Sequence, residues 1–123
     1  MKILVIGHSP GSKITNKTAV SPTIKRLNKW LDECNVDKYS FTNLSPYHTN
    51  NLKKSDVDET YVKTITDTYN KIIALGGVVS QHLSKMNIQH YSAPHPSPLN
   101  RKFNDKSFEP KLISSLQNYI YSV

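Results

Sequence analysis

The stretch APHPSPLNRKF (residues 93–103) sets His95 among three prolines, Pro94, Pro96 and Pro98, and follows them with Leu99, Asn100, Arg101 and Lys102. Proline fixes φ and has no N–H to donate, so this run is neither helix nor interior strand. It reads as a stiff, basic loop with an apolar point. A second cluster is GHSPG (Gly7–Gly11), where His8 is suited to general-base work near neutral pH and Ser9 can position a water. Serine is neutral and a poor base, and no carboxylate lies in this motif. A third is FTNLSPY, whose Asn43 carries both an acceptor and donors on one carboxamide. Each has a plainer reading as well: a leucine packed into its own loop, a structural histidine, an asparagine bonding the loop backbone.

The elements that must position these residues alternate. Lys2–Gly7 is a short apolar run ending at glycine, the pattern of a buried strand. Ser21-Pro22 reads as an N-cap with proline at the first helical position, and Ile24, Leu27, Leu31 and Cys34 continue a buried helical face to about Asn35. Tyr39–Asn43 is a second strand. Ser55 with Asp58 resembles a capping box, followed by a helix with Val57, Tyr61, Ile65 and Tyr69 on one face. Lys71–Leu75 is a third strand, Val78–Met86 a short helix, and Ile88–Tyr91 a fourth strand. A last helix runs from about Pro110 with Leu112, Ile113, Leu116 and Ile120. Strands alternating with helices predict a parallel sheet with helices on both faces, whose ligands collect at the carboxyl ends of the strands. The loops from His8, Asn43 and Pro94 leave those ends, which implies one site built from all three.

The 123 residues are read as one domain, 1–123, large enough for a real core. Sixteen Lys and Arg against nine Asp and Glu give a formal charge of +7, and no acidic residue precedes Asp32. That balance suits a polyanion, and nucleic acid is favoured over membrane because no stretch is long and apolar enough to span. No signal peptide is read, so an intracellular protein, cytoplasmic or nucleoid-associated, is expected. A single cysteine, Cys34, excludes an internal disulfide and any cysteine-based zinc or iron–sulfur cage; no metal is expected.

GHSPG and HPSPLNR resemble the two signature motifs of the uracil-DNA glycosylase superfamily. FTNLSPY is similar to its strand-end asparagine segment, and IIALGGVVSQHL to its third strand and the helix that follows. The resemblance covers most of the chain in the right order, and it is that of a small, divergent member without an iron–sulfur cluster. It implies a three-layer α/β/α fold with a central four-stranded parallel sheet in the order 2-1-3-4. It also implies a DNA glycosylase that flips a base out of the stack and hydrolyses its N-glycosidic bond without a cofactor. The partner would be uracil-containing DNA, single- or double-stranded, and the protein a monomer.

On this resemblance His95 matches the histidine that donates to O2 of the base, where negative charge grows as the bond breaks. Asn43 matches the residue that accepts from N3–H and donates to O4 of uracil, a pattern that cytosine reverses. Leu99 matches the wedge that fills the vacated space. Ser97, Pro98, Asn100, Arg101 and Lys102 surround it as DNA contacts. Ser9 stands where members commonly place Asp or Asn, which leaves His8 and Ser9 as the motif's catalytic candidates. Pro10 and Gly11 would border the base. A tyrosine at the Gly11 position rejects thymine in strict uracil enzymes, so glycine opens room for 5-substituted uracils. Asn16, Lys17, Ser21 and Thr23 are further candidate phosphate contacts. No aromatic residue lies between Ser9 and Lys29 to stack on the base, and Trp30 is expected to pack on its helix. His48, His82 and His90 have no motif support.

Two other functions fit the same residues. One is a catalytically weak or inactive glycosylase-fold protein that binds or scaffolds DNA, having lost turnover with its motif-one acid. The other is a hydrolase of free nucleosides or nucleotides, which leaves the wedge unexplained.

Overall fold

The computed structural model describes residues 1–9, 21–97 and 99–122. They belong to two compact units, one of residues 1–15 and 38–94, the other of residues 16–37 and 95–123.

The first unit is built on a four-stranded parallel sheet of β1 (Ile3–Gly7), β2 (Ser40–Asn43), β3 (Lys71–Leu75) and β4 (Tyr91–Ala93), in the order β2-β1-β3-β4. This is the α/β class and strand order expected. Registers run from Leu4 opposite Ser40 to Gly7 opposite Asn43, and from Ile3 opposite Lys71 to Ile6 opposite Ala74. Leu4, Ile6, Ile72 and Ala74 share one buried cluster with Val62 of α2 (Glu59–Thr66) and with Val79 and Leu83 of α3 (Gly77–Lys85). Ile3, Val5, Ile73 and Leu75, which alternate with them along β1 and β3, are buried as well. β1 and β3 are therefore buried on both faces, which is why they read as unbroken apolar runs rather than alternating ones.

Two boundaries differ from expectation. The fourth strand, expected at Ile88–Tyr91, begins where that segment ends. Asn87 adopts a left-handed φ of 58° just past α3. Its N–H donates to Ser84 O and the N–H of Ile88 to Leu83 O, both at 3.0 Å, so these residues finish the helix in a Schellman motif. Ile88 is consumed as the apolar partner of that cap, packed against the core. The second helix also starts later than a box at Ser55 would place it. Ser55 lies in a 3₁₀ turn (Lys54–Asp56), and Asp58 itself is the cap, its Oδ1 accepting from Tyr61 N at 3.0 Å. Val57 then precedes the helix and shares the core with Val62, as in a hydrophobic staple. Tyr61, expected inside, is 45% exposed.

The second unit holds α1 (Pro22–Glu33), a 3₁₀ turn (Arg101–Asn104) and α4 (Phe108–Ile120). Ser21 caps α1 as expected, its Oγ accepting from Ile24 N at 3.2 Å. α1 ends like α3, with Asn35 at φ 61° and Val36 N donating to Leu31 O at 2.9 Å. α4 begins two residues before the expected Pro110, which its first turn accommodates. Trp30 is fully buried, as expected of it, 5.8 Å from the Phe103 ring. Phe103 in turn meets Phe108 edge-on at 5.5 Å and carries the Arg26 guanidinium 4.1 Å above its centroid. Glu109 joins the two helices, accepting from Lys29 Nζ at 2.8 Å and pairing with Arg26 Nε at 3.3 Å. Burial pushes the Glu109 carboxyl up, but the Lys29 hydrogen bond and charge, with Arg26, hold it below the usual range. Cys34 is buried in the same unit, where burial pushes its thiol up and Sγ donates to Ile113 O at 3.7 Å. Among the described residues, no helix is long and apolar enough to cross a membrane.

Candidate active site

Because β1 and β2 run parallel and in register to their last residues, Gly7 and Asn43 stand side by side at the carboxyl ends. A Cβ on Gly7 would lie 2.7 Å from Asn43 Oδ1 and 2.8 Å from Phe41 Cζ. Glycine is required there so that the half-buried Asn43 carboxamide can occupy the space above it. The pairing continues past the strands, with Leu44 N donating to Gly7 O at 2.9 Å and Ser45 N to His8 O at 3.1 Å. The first residues after β1 and β2 thus leave the sheet as one hydrogen-bonded ribbon.

His8 and Ser9 sit in that ribbon, both half-buried. His8 Nδ1 lies 3.0 Å from Ser9 Oγ. The Ser9 hydroxyl donates to Thr49 O at 3.1 Å and receives Thr49 N–H at a longer 3.4 Å. Thr49 also lines a cleft of about 270 Å³ between the loop after β2 and the start of α2. The two carboxylates on its wall already receive backbone N–H groups, Asp56 from Lys53 at 2.9 Å and Asp58 from Tyr61. Buried Ser45 braces the same loop, donating to Tyr47 O at 2.7 Å and accepting from Tyr47 N at 3.2 Å.

From His95 on, the proline loop belongs to the second unit, and its hydrogen bonds are local. Ser97 N donates to His95 Nδ1 at 3.2 Å, and Ser97 Oγ accepts from Leu99 N at 3.2 Å. Asn100 closes the turn: its Nδ2 donates to His95 O at 3.0 Å and its Oδ1 accepts from Lys102 N at 3.1 Å. The outcome is an exposed imidazole and a Leu99 side chain that is 88% exposed. Nδ1 of His95 is an acceptor in this arrangement, so the neutral ring carries its proton on Nε2. Arg101 and Lys102 are exposed beside it on the 3₁₀ turn that Phe103 anchors.

The family model of the Uracil DNA glycosylase superfamily matches residues 1–117 of the 123. The chain belongs to that superfamily. Membership supports a glycosylase-like function and implies DNA as substrate. No curated protein matches the chain.

The structure groups His8, Ser9 and Asn43 within the first unit, and His95, Ser97, Leu99, Asn100, Arg101 and Lys102 within the second. Ser21 serves as a helix cap, and Thr23 follows it, half-buried, in the first turn of α1. Pro10, Gly11, Asn16, Lys17 and Pro98 lie outside the described residues. Sequence reasoning missed Thr49, which carries no signal because its contact is 40 residues away from Ser9. Gly7 was legible only as a strand end. Asn100 was read as a DNA contact; its second role, closing the turn onto His95 O and Lys102 N, follows the preference of asparagine for caps and turns.

Proposed function

We propose that this superfamily member hydrolyses the N-glycosidic bond of uracil, or of a 5-substituted uracil, in DNA by base flipping, and leaves an abasic site. The observation that carries the reading is the state of His95. With Nδ1 accepting the Ser97 N–H, the neutral ring carries its proton on Nε2, the donor this reading assigns to the O2 oxygen where charge develops, and a fixed donor of that kind lowers such a barrier. Asn43, seated above Gly7, reads N3–H and O4. Leu99 fills the space left by the flipped base, and its proline-stiffened loop limits the ordering entropy lost on insertion. Arg101 and Lys102 hold phosphates. Turnover is slow relative to members with a motif-one carboxylate, since nothing in His8-Ser9 supplies fixed negative charge to the sugar cation.

The experiment is incubation with a uracil-containing single-stranded oligonucleotide, followed by alkaline scission at abasic sites. Strand scission dependent on His95 supports the reading. Binding without scission favours the inactive DNA-binding alternative, for which the missing carboxylate is the specific argument. Release of base from mononucleotides but not from polymer would move the assignment to a nucleotide hydrolase.

A further inference from the structure

A serine hydroxyl has one proton and two lone pairs, and three contacts among the described residues draw on them at Ser9. Thr49 O can only accept, so for all three contacts to be hydrogen bonds at once the Ser9 proton points to it. Thr49 N–H can only donate, and it takes one lone pair. The remaining contact among the described residues is His8 Nδ1 at 3.0 Å, where Ser9 is left to accept. In that arrangement the proton between them belongs to the imidazole. In neutral His8 it sits on Nδ1, which leaves the lone pair on Nε2.

We propose that Ser9, held by the Thr49 backbone, is a positioning residue that fixes the tautomer of His8, so that Nε2 is the atom able to take a proton from the attacking water. The last step rests on the glycosylase reading. In it the water oxygen bonds to C1′, and the C1′–N1 bond breaks with its electron pair leaving on the base. The water's proton passes to His8 Nε2, and the resulting imidazolium keeps its Nδ1–H bond to Ser9. Ser9 acts on the ring and not on the water, because its own proton is committed to Thr49. This is the task an acceptor performs behind a catalytic histidine in a triad, here done by a neutral hydroxyl.

The tautomer is read from two-bond 1H–15N couplings of the His8 ring in 15N-labelled protein, at a pH where the ring is neutral. The wild type should show protonated Nδ1 and bare Nε2. Ser9→Ala should shift the ring toward the Nε2–H form, and Ser9→Thr, which keeps the hydroxyl, should restore the wild-type pattern. Single-turnover excision from a uracil oligonucleotide should fall on the order of 10-fold in Ser9→Ala, less than the ~10²–10⁴-fold of a lost general base, and recover in Ser9→Thr. A wild-type ring protonated on Nε2, or a pattern unmoved by Ser9→Ala, overturns the assignment. A correct tautomer with no effect of Ser9→Ala on excision overturns the catalytic step. If no form excises uracil, the glycosylase reading fails, while the couplings still decide the role of Ser9.

Discussion

In the loop after β1, His8 gives its Nδ1 proton to a serine; in the loop after β4, His95 receives one at Nδ1 from the N–H of Ser97. The two rings are thereby set in opposite senses. His8 presents an acceptor at Nε2 and His95 a donor. One can take a proton without losing its hydrogen bond, whereas protonating Nδ1 of the other would set two donors face to face. On the proposed function, what separates a base from an electrostatic donor is a single neighbour, and the neighbours differ in kind. Ser9 is fixed from Thr49, far along the chain, while Ser97 lies two residues from its ring.

The largest test of this contrast is His95→Ala, which should cost about 10²–10³-fold in single-turnover excision, the usual penalty for removing one donor from a developing oxyanion. An unchanged rate would sink the electrostatic role. Gly7→Ala should come next. Its Cβ would collide with Asn43 Oδ1 and Phe41, at a stability cost of roughly 1–3 kcal/mol for overpacking, and should displace the carboxamide. Excision should fall and discrimination against cytosine weaken, as they should in Asn43→Asp, where two acceptors replace an acceptor and a donor. If Gly7→Ala loses stability but keeps full selectivity, Asn43 does not read the base.

Leu99→Ala should be milder, about 10-fold on a uracil paired in duplex, in line with the ~1–3 kcal/mol of a buried leucine side chain, and smaller on single strands. Equal losses on both substrates would remove the wedge assignment. The smallest effect lies beneath the loop. Glu109 is held below the usual carboxylate range, so its contribution is full above an unfolded pKa of about 4.3 and fades as pH falls through the lower folded value. Thermal unfolding between pH 5 and 3 should show the wild type losing stability faster than Glu109→Gln. At neutral pH that variant should be weaker by roughly 0.5–1.5 kcal/mol, since Lys29 is largely exposed and only Arg26 is well enclosed. Parallel acid profiles would show the cluster to be energetically idle.

The same difference in range explains what could be read in advance. Buried strands announce themselves by composition, so β1 and β3 were legible, and local caps such as Ser21-Pro22 were too; the strand order came from the family resemblance. The fourth strand slipped because Ile88 has the composition of a strand but is claimed by the Asn87 turn, and left-handed asparagine competes poorly with hydrophobicity as a signal. The proline loop was readable because its hydrogen bonds close within eight residues, from His95 to Lys102. The setting of His8 was not. A serine beside a histidine does not say whether it gives or takes a proton; only the Thr49 backbone decides that, and no local pattern points to it.

Cys34 has a practical consequence. It is the chain's one cysteine, fully buried, with its thiol pushed up by burial and bonded to a helix carbonyl. Thiolate, the reactive form, is scarce and shielded there. The natural protein is thus already a silent background for maleimide chemistry. A cysteine placed at the exposed tip in Leu99→Cys would be the sole thiol to label in the folded state, and a fluorophore on it would report the loop's approach to DNA with no other residue changed.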